Sequence, residues 1–137
     1  MPSNRFPLTL LDGRFAVCKL DPREAAPADL LDTEGGFVCV TRTASELSIV
    51  CAEGDVPEGA VQVEGGFRAF RLEGPVPFTT VGVVSGLTRP LAEAGLSVFV
   101  VSTFDTDYLL VKADAAERAG RLLGKAGFSV TAERRAG

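Results

Sequence analysis

The chain has 137 residues and no histidine. This excludes serine–histidine–acid and cysteine–histidine catalysis and every histidine-ligated metal site. It has no phosphate-binding P-loop, and no G-x-G-x-x-G follows a strand-like run. No apolar stretch approaches the ~20 residues that span a bilayer. The first residues, "MPSNRFPLTLLDG", have no apolar core of signal-peptide length, so a cytoplasmic protein without a membrane partner is expected. Cysteine is scarce and odd in number: Cys18, Cys39 and Cys51. None forms a C-x-x-C pair, and all sit in strand-like runs. They are expected to be buried thiols rather than a disulfide framework or a metal site. An excess of basic charge is also missing. The net charge is −4, and the Arg and Lys residues between Lys112 and Arg135 are mixed with acids. Nucleic acid is therefore not expected as a partner, and no paired aromatic platform for RNA is visible. Without a nucleophile–base pair, no catalytic residue is assigned, and a non-enzymatic protein without cofactor or metal is expected.

Composition is that of a globular protein, 46% hydrophobic and 23% charged, and the length suits one domain or two very small ones. The C-terminal half is the clearer. "GFRAFRLEG" (66–74) alternates as a strand does. Pro75 and Pro77 interrupt the chain. "FTTVGVVSGLTRPLAEA" (78–94) then sets Phe78, Val81, Val84, Leu87 and Leu91 at helical spacing, with Pro90 inside and Gly95 just past the end. "LSVFVVS" (96–102) and "DYLLVK" (107–112) read as strands. Asp114 and Glu117 stand at capping-box spacing before a second helix, which Gly127 ends. "FSVTAE" (128–133) is a last strand. The order βαββαβ predicts a ferredoxin-like module with an antiparallel sheet and both helices on one face.

The N-terminal half reads as a reduced copy. "GFVCVTRTASELSIVC" (36–51) aligns with the later hairpin at an offset of 61, placing Glu46 against Asp107. "FAVCKLDP" (15–22) aligns with "FRAFRLEGP" at an offset of 52. The missing residues imply a short first helix near "PADLLD" (27–32). Pro57 and nearby glycines imply a short second helix. The fold class is thus α+β, two tandem ferredoxin-like modules at 1–65 and 66–137.

"EGPVPF", "PLAEAGLSVF" and "STFDTDYLLV", in that order, resemble the second half of small bacterial tandem ACT-domain proteins. These are related to the ACT modules of aspartate kinases and of the eukaryotic cytosolic arginine sensor. "ELSIVC" (46–51) resembles the first half, and the resemblance spans about residues 10–133. It implies a regulatory, allosteric module that binds an amino acid where two modules meet, between the loop after a first strand and a second strand. That loop is Pro75–Val83 here. Thr103, Phe104 and Asp107 match the arginine sensor's ligand-facing pattern, while Thr106 departs from an aromatic residue there. The expected ligand-binding residues are Thr79, Val81, Gly82, Val83, Thr103, Phe104 and Asp107. A helix N-terminus at 79–83 would suit a carboxylate, and Asp105 or Asp107 an ammonium. Each position also has a structural reading: Phe104 as a ring folded onto the core, Asp105 as a turn former, Thr79 as a helix N-cap, Gly82 as a close helix–sheet contact, and Ser45 and Glu46 as solvated turn residues. A homodimer is expected. The alternative function is an assembly protein that uses this fold and binds nothing small.

Overall fold

The computed structural model describes residues 6–32 and 36–133. In chain order the elements are β1 (Leu8–Leu10), β2 (Phe15–Leu20), α1 (Ala28–Leu31), β3 (Cys39–Arg42), β4 (Leu47–Ala52), β5 (Gln62–Leu72), α2 (Val83–Glu93), β6 (Phe99–Ser102), β7 (Asp107–Lys112), α3 (Ala116–Lys125) and β8 (Val130–Ala132). Single 3-10 turns follow β4 and β7, at Glu53–Asp55 and Ala113–Ala115. Among the described residues no helix is long and apolar enough to cross a membrane.

The chain forms two compact units. In the unit of Gly13–Phe67, the sheet order is β3-β4-β2 and then the first part of β5, with antiparallel neighbours. Cys18, Leu20, Leu47, Ile49 and Cys51 bury one face of this sheet with Leu30 of α1. Phe15 and Phe37 meet edge to face, with centroids 6.0 Å apart. The turn after β4 does not grow into a helix. Val56, the residue before Pro57, is held extended at φ −59°, ψ 126°, as the clash with a proline ring requires. After β7 the equivalent residue, Ala116, is helical, and α3 continues. The reduced helices expected of the first module are present as the four-residue α1 and this lone turn.

In the other unit, which joins the residues up to Asp12 to those from Arg68 on, the last part of β5 begins a βαββαβ succession ending at β8. Both helices lie on one face of the sheet. Leu87 and Leu91 of α2 and Ala119 and Leu123 of α3 pack with Leu8, Phe70, Leu72, Leu109 and Val111 from the strands. Both helices end the same way. Gly95 and Gly127 take φ +77° and +107°. Leu96 N then donates to Leu91 O at 2.9 Å, and Phe128 N to Leu123 O at 3.1 Å, the Schellman pattern that satisfies final carbonyls.

Five expectations are corrected. The module division at 65/66 falls inside β5. Two residues, Gly65 and Gly66, there oppose the single Ala16 between the pairs Phe15–Phe67 and Val17–Glu64, and Gly66 has φ +75°. The glycines make a β-bulge, not a linker. Residues 8–10 belong with the second unit, because β1 inserts between β5, to which it is antiparallel, and β8, to which it is parallel. The sheet of that unit therefore has five strands, β6-β7-β5-β1-β8. Helix α2 starts at Val83 rather than near Phe78. Phe78 and Val81 fit its apolar period but stand in the preceding loop, exposed. Asp114 does not cap α3: it lies in the 3-10 turn, and neither that turn nor the helix has a side-chain cap. Finally, the offset between the hairpins is 60, not 61. Arg42 pairs with Leu47 as Ser102 pairs with Asp107, and Cys39 with Val50 as Phe99 with Leu110. Glu46 therefore corresponds to Thr106, not to Asp107.

Candidate functional site

A cavity of about 580 Å³ opens within the second unit. One wall is the loop from Val76 to Gly82 and the first turns of α2. The other is the bend between β6 and β7 with the flanking Ser102 and Asp107.

The bend is built by one hydroxyl. Thr103 Oγ accepts from Thr106 N at 3.2 Å, and Thr103 N donates to Thr106 O at 2.8 Å. Thr43 does the same for Glu46 in the first unit, at 3.1 and 2.9 Å, which also fixes the offset of 60. The two walls of the cavity are moored to each other. Thr106 Oγ donates to the carbonyl of Leu72, and Val76 N donates to Asp105 O at 2.7 Å. A Cβ at Gly74 would lie 2.9 Å from that same Asp105 oxygen, closer than any side chain tolerates. Asp105 thus ties the bend to the opposite loop through its main-chain carbonyl, and it also lines the cavity.

Asp107 begins β7, and its carboxylate accepts a hydrogen bond from Ser102 Oγ at 2.5 Å. The two residues face each other across the hairpin. At the other wall Gly82 is the N-cap of α2 with φ +84°, and its carbonyl accepts the first helical bond, from Gly86 N at 3.0 Å. The N–H groups of Val83, Val84 and Ser85 precede that bond, so no carbonyl of the helix is available to them. The nearest atom to a Cβ at Gly82 would be Ser85 Oγ at 3.9 Å. The glycine is there for its left-handed backbone, not for close helix–sheet packing. Val83 lines the cavity but buries its side chain in the core, so it can offer only main chain.

Phe104 is not folded onto the core. It is 81% exposed and lies against Phe78, itself 78% exposed, with centroids 5.4 Å apart. Of the seven residues expected from sequence, Gly82, Val83, Thr103, Phe104 and Asp107 line one cavity. Thr79 and Val81 belong to the same loop but not to the lining, and Thr79 is not the N-cap. Sequence reasoning missed Phe78, Thr80, Ser85, Thr88 and Ser102, which complete the polar and aromatic walls. For Ser102 a signal existed: a bend of four residues sets it directly opposite Asp107. Among the described residues no group of three or more Cys, Asp or Glu could hold a metal ion.

Two ferredoxin-like units, with a cavity set between a hairpin bend and a helix start, define an ACT-type fold. Residues 62–125 match the model of the ACT domain, and residues 13–59 match a separate model described as an N-terminal domain. The crystal structure of the protein Atu0741 from Agobacterium tumefaciens is 40% identical, covers 96% of both chains and superposes with a TM-score of 0.85. The chain belongs to the family of small ACT-domain proteins. Two more distant structures share the fold. Protein VC0802 from Vibrio cholerae is 21% identical over 91% of this chain and 92% of its own, with a TM-score of 0.69. The regulatory subunit of aspartate kinase from Thermus thermophilus is 12% identical over 82% of this chain and 91% of its own, with a TM-score of 0.58. No curated protein matches the chain in sequence.

Proposed function

We propose that this protein is a non-catalytic sensor or regulatory partner that binds an amino acid in the cavity of its second unit. The observation that carries this reading is the pairing of opposite polarities across one space. The unbonded N–H groups at the start of α2 suit a carboxylate. Asp105 and Asp107 line the same cavity, and their carboxylates suit an ammonium, while the rings of Phe78 and Phe104 supply an apolar wall. Among the described residues no Lys or Arg lines the cavity, which disfavours a purely anionic ligand. The ACT family of the chain agrees with a regulatory role. The site works in a homodimer on this reading, as the family resemblance implies, and in the cytoplasm.

Calorimetry and thermal shift with each of the twenty amino acids test the proposal. A ligand at 100 times its dissociation constant stabilises the fold by about 2.7 kcal/mol. If none of the twenty changes the melting temperature or releases heat, the amino-acid reading is refuted. A second reading, assembly without a small ligand, is favoured by the exposure of Phe78, Val81 and Phe104 at the rim. Light scattering decides the oligomer, and a monomer at all concentrations removes the homodimer.

A further inference from the structure

The two hairpins are equivalent at an offset of 60, which places Arg42 where the second unit has Ser102. The difference between these residues is large. Ser102 is short, reaches no further than Asp107 Oδ1, and borders an open cavity. The guanidinium of Arg42 crosses from the end of β3 to the loop that follows β2. Its Nη1 donates to the carbonyl of Pro22 and its Nη2 to the carbonyl of Glu24 at 2.6 Å. That loop leads into α1 as the Val76–Gly82 loop leads into α2. Position 47, equivalent to Asp107, is a buried leucine, so the first unit lacks the carboxylate as well. The planar fork of arginine, with five donors and no acceptor, suits carbonyl oxygens converging from one loop.

We propose that Arg42 is a built-in plug. It fills in the first unit the space that Ser102 leaves open in the second, so each chain offers one small-molecule site. Position 102 then decides whether that site exists. This rests on the reading of the second-unit cavity as a ligand site and answers what that reading leaves open, the number of sites per chain.

The test uses the full chain and two variants. Titration of the wild type with the amino acid that most raises its melting temperature is expected to give one site per chain. Ser102→Arg is expected to weaken that amino acid by about tenfold or more, with the ligand-free melting temperature retained. Arg42→Ser needs no ligand. It is expected to speed amide exchange in residues 21–27 by about tenfold or more, because the loop loses two charge-assisted bonds. Two sites per wild-type chain, or unchanged binding by Ser102→Arg, overturns the proposal while leaving the amino-acid reading intact. Unchanged exchange in Arg42→Ser overturns it without any ligand. If no amino acid binds the wild type, the amino-acid reading fails and the one-site inference falls with it, whatever Arg42→Ser does to the loop.

Discussion

Replacing Gly82 with alanine separates backbone conformation from crowding, because the structure leaves room for the methyl group. The nearest atom to the new Cβ would be Ser85 Oγ at 3.9 Å, an ordinary contact. The cost then comes from φ +84° at the N-cap of α2. Left-handed backbone costs an ordinary residue about 1–2 kcal/mol. Alanine also restricts the unfolded chain, which returns about 0.4–1 kcal/mol. The net effect is a loss of about 0.5–1 kcal/mol. Gly124 is the matched control. It lies in α3 without positive φ, and its Cβ would meet nothing within 4 Å. There alanine should stabilise, by up to about 1 kcal/mol. The chain has no tryptophan, so urea unfolding is best followed by far-ultraviolet circular dichroism. Opposite shifts of the two midpoints at constant slope are expected. A Gly82→Ala variant as stable as wild type would refute the claim that the helix start depends on a left-handed cap.

Asp107→Asn keeps the shape of the side chain and removes its charge. It should weaken the amino acid identified for wild type by about 1.5–3 kcal/mol with the fold retained, and unchanged calorimetric affinity would exclude Asp107 as a ligand group. Iodoacetamide should label Cys39 before Cys18 and Cys51. The latter two are buried, and burial pushes the Cys18 thiol up and the Cys51 thiol up to about 11; mass spectrometry of partly labelled native protein reads the order. Burial raises the Glu73 carboxyl, but hydrogen bonds from Arg71 and Thr9 outweigh this and hold it below its usual 4.5. A lowered carboxyl stabilises the fold above its unfolded value and loses that contribution as pH falls through the folded one. The stability difference between wild type and Glu73→Gln should therefore be present at neutral pH and vanish in acid. Its size is under about 1 kcal/mol, since the pair with Arg71 is partly exposed; a difference independent of pH would refute the assignment.

What the sequence made legible was local. The "DYLLVK" strand runs Asp107–Lys112, an apolar run bounded by an acid and a lysine, and the glycines past α2 and α3 do end helices. The start of α2 was not legible. Phe78 and Val81 keep the helical period by chance, and periodicity does not tell a core face from an exposed loop. The one-residue error in the hairpin offset has a related cause. Leu109, Leu110 and Val111 are all buried in succession, as are Ile49, Val50 and Cys51, so burial on both faces erased the period of two that would have fixed the register. For the site, Phe104 and Asp107 were readable from the bend, and Ser102 could have been, since a four-residue bend sets it opposite Asp107; Phe78 reaches the cavity through a loop path that no local pattern encodes. The insertion of β1 between β5 and β8 was equally out of reach, since a strand's period says nothing of its partner.

That insertion sets an order of events at the ribosome. Leu8–Leu10 are made long before the strand that holds them on one side: β8 pairs with them, and Asp12 N bonds to a Glu133 carboxylate oxygen 121 residues away. The strands of Gly13–Phe67 can close upon one another once residue 67 has emerged, whereas β1 gains its first partner only with Phe70–Leu72 and its second only with Val130–Ala132. Until those partners are made, β1 is an unsatisfied edge carrying two leucines. The nascent chain keeps its exposure to misassociation until β8 emerges.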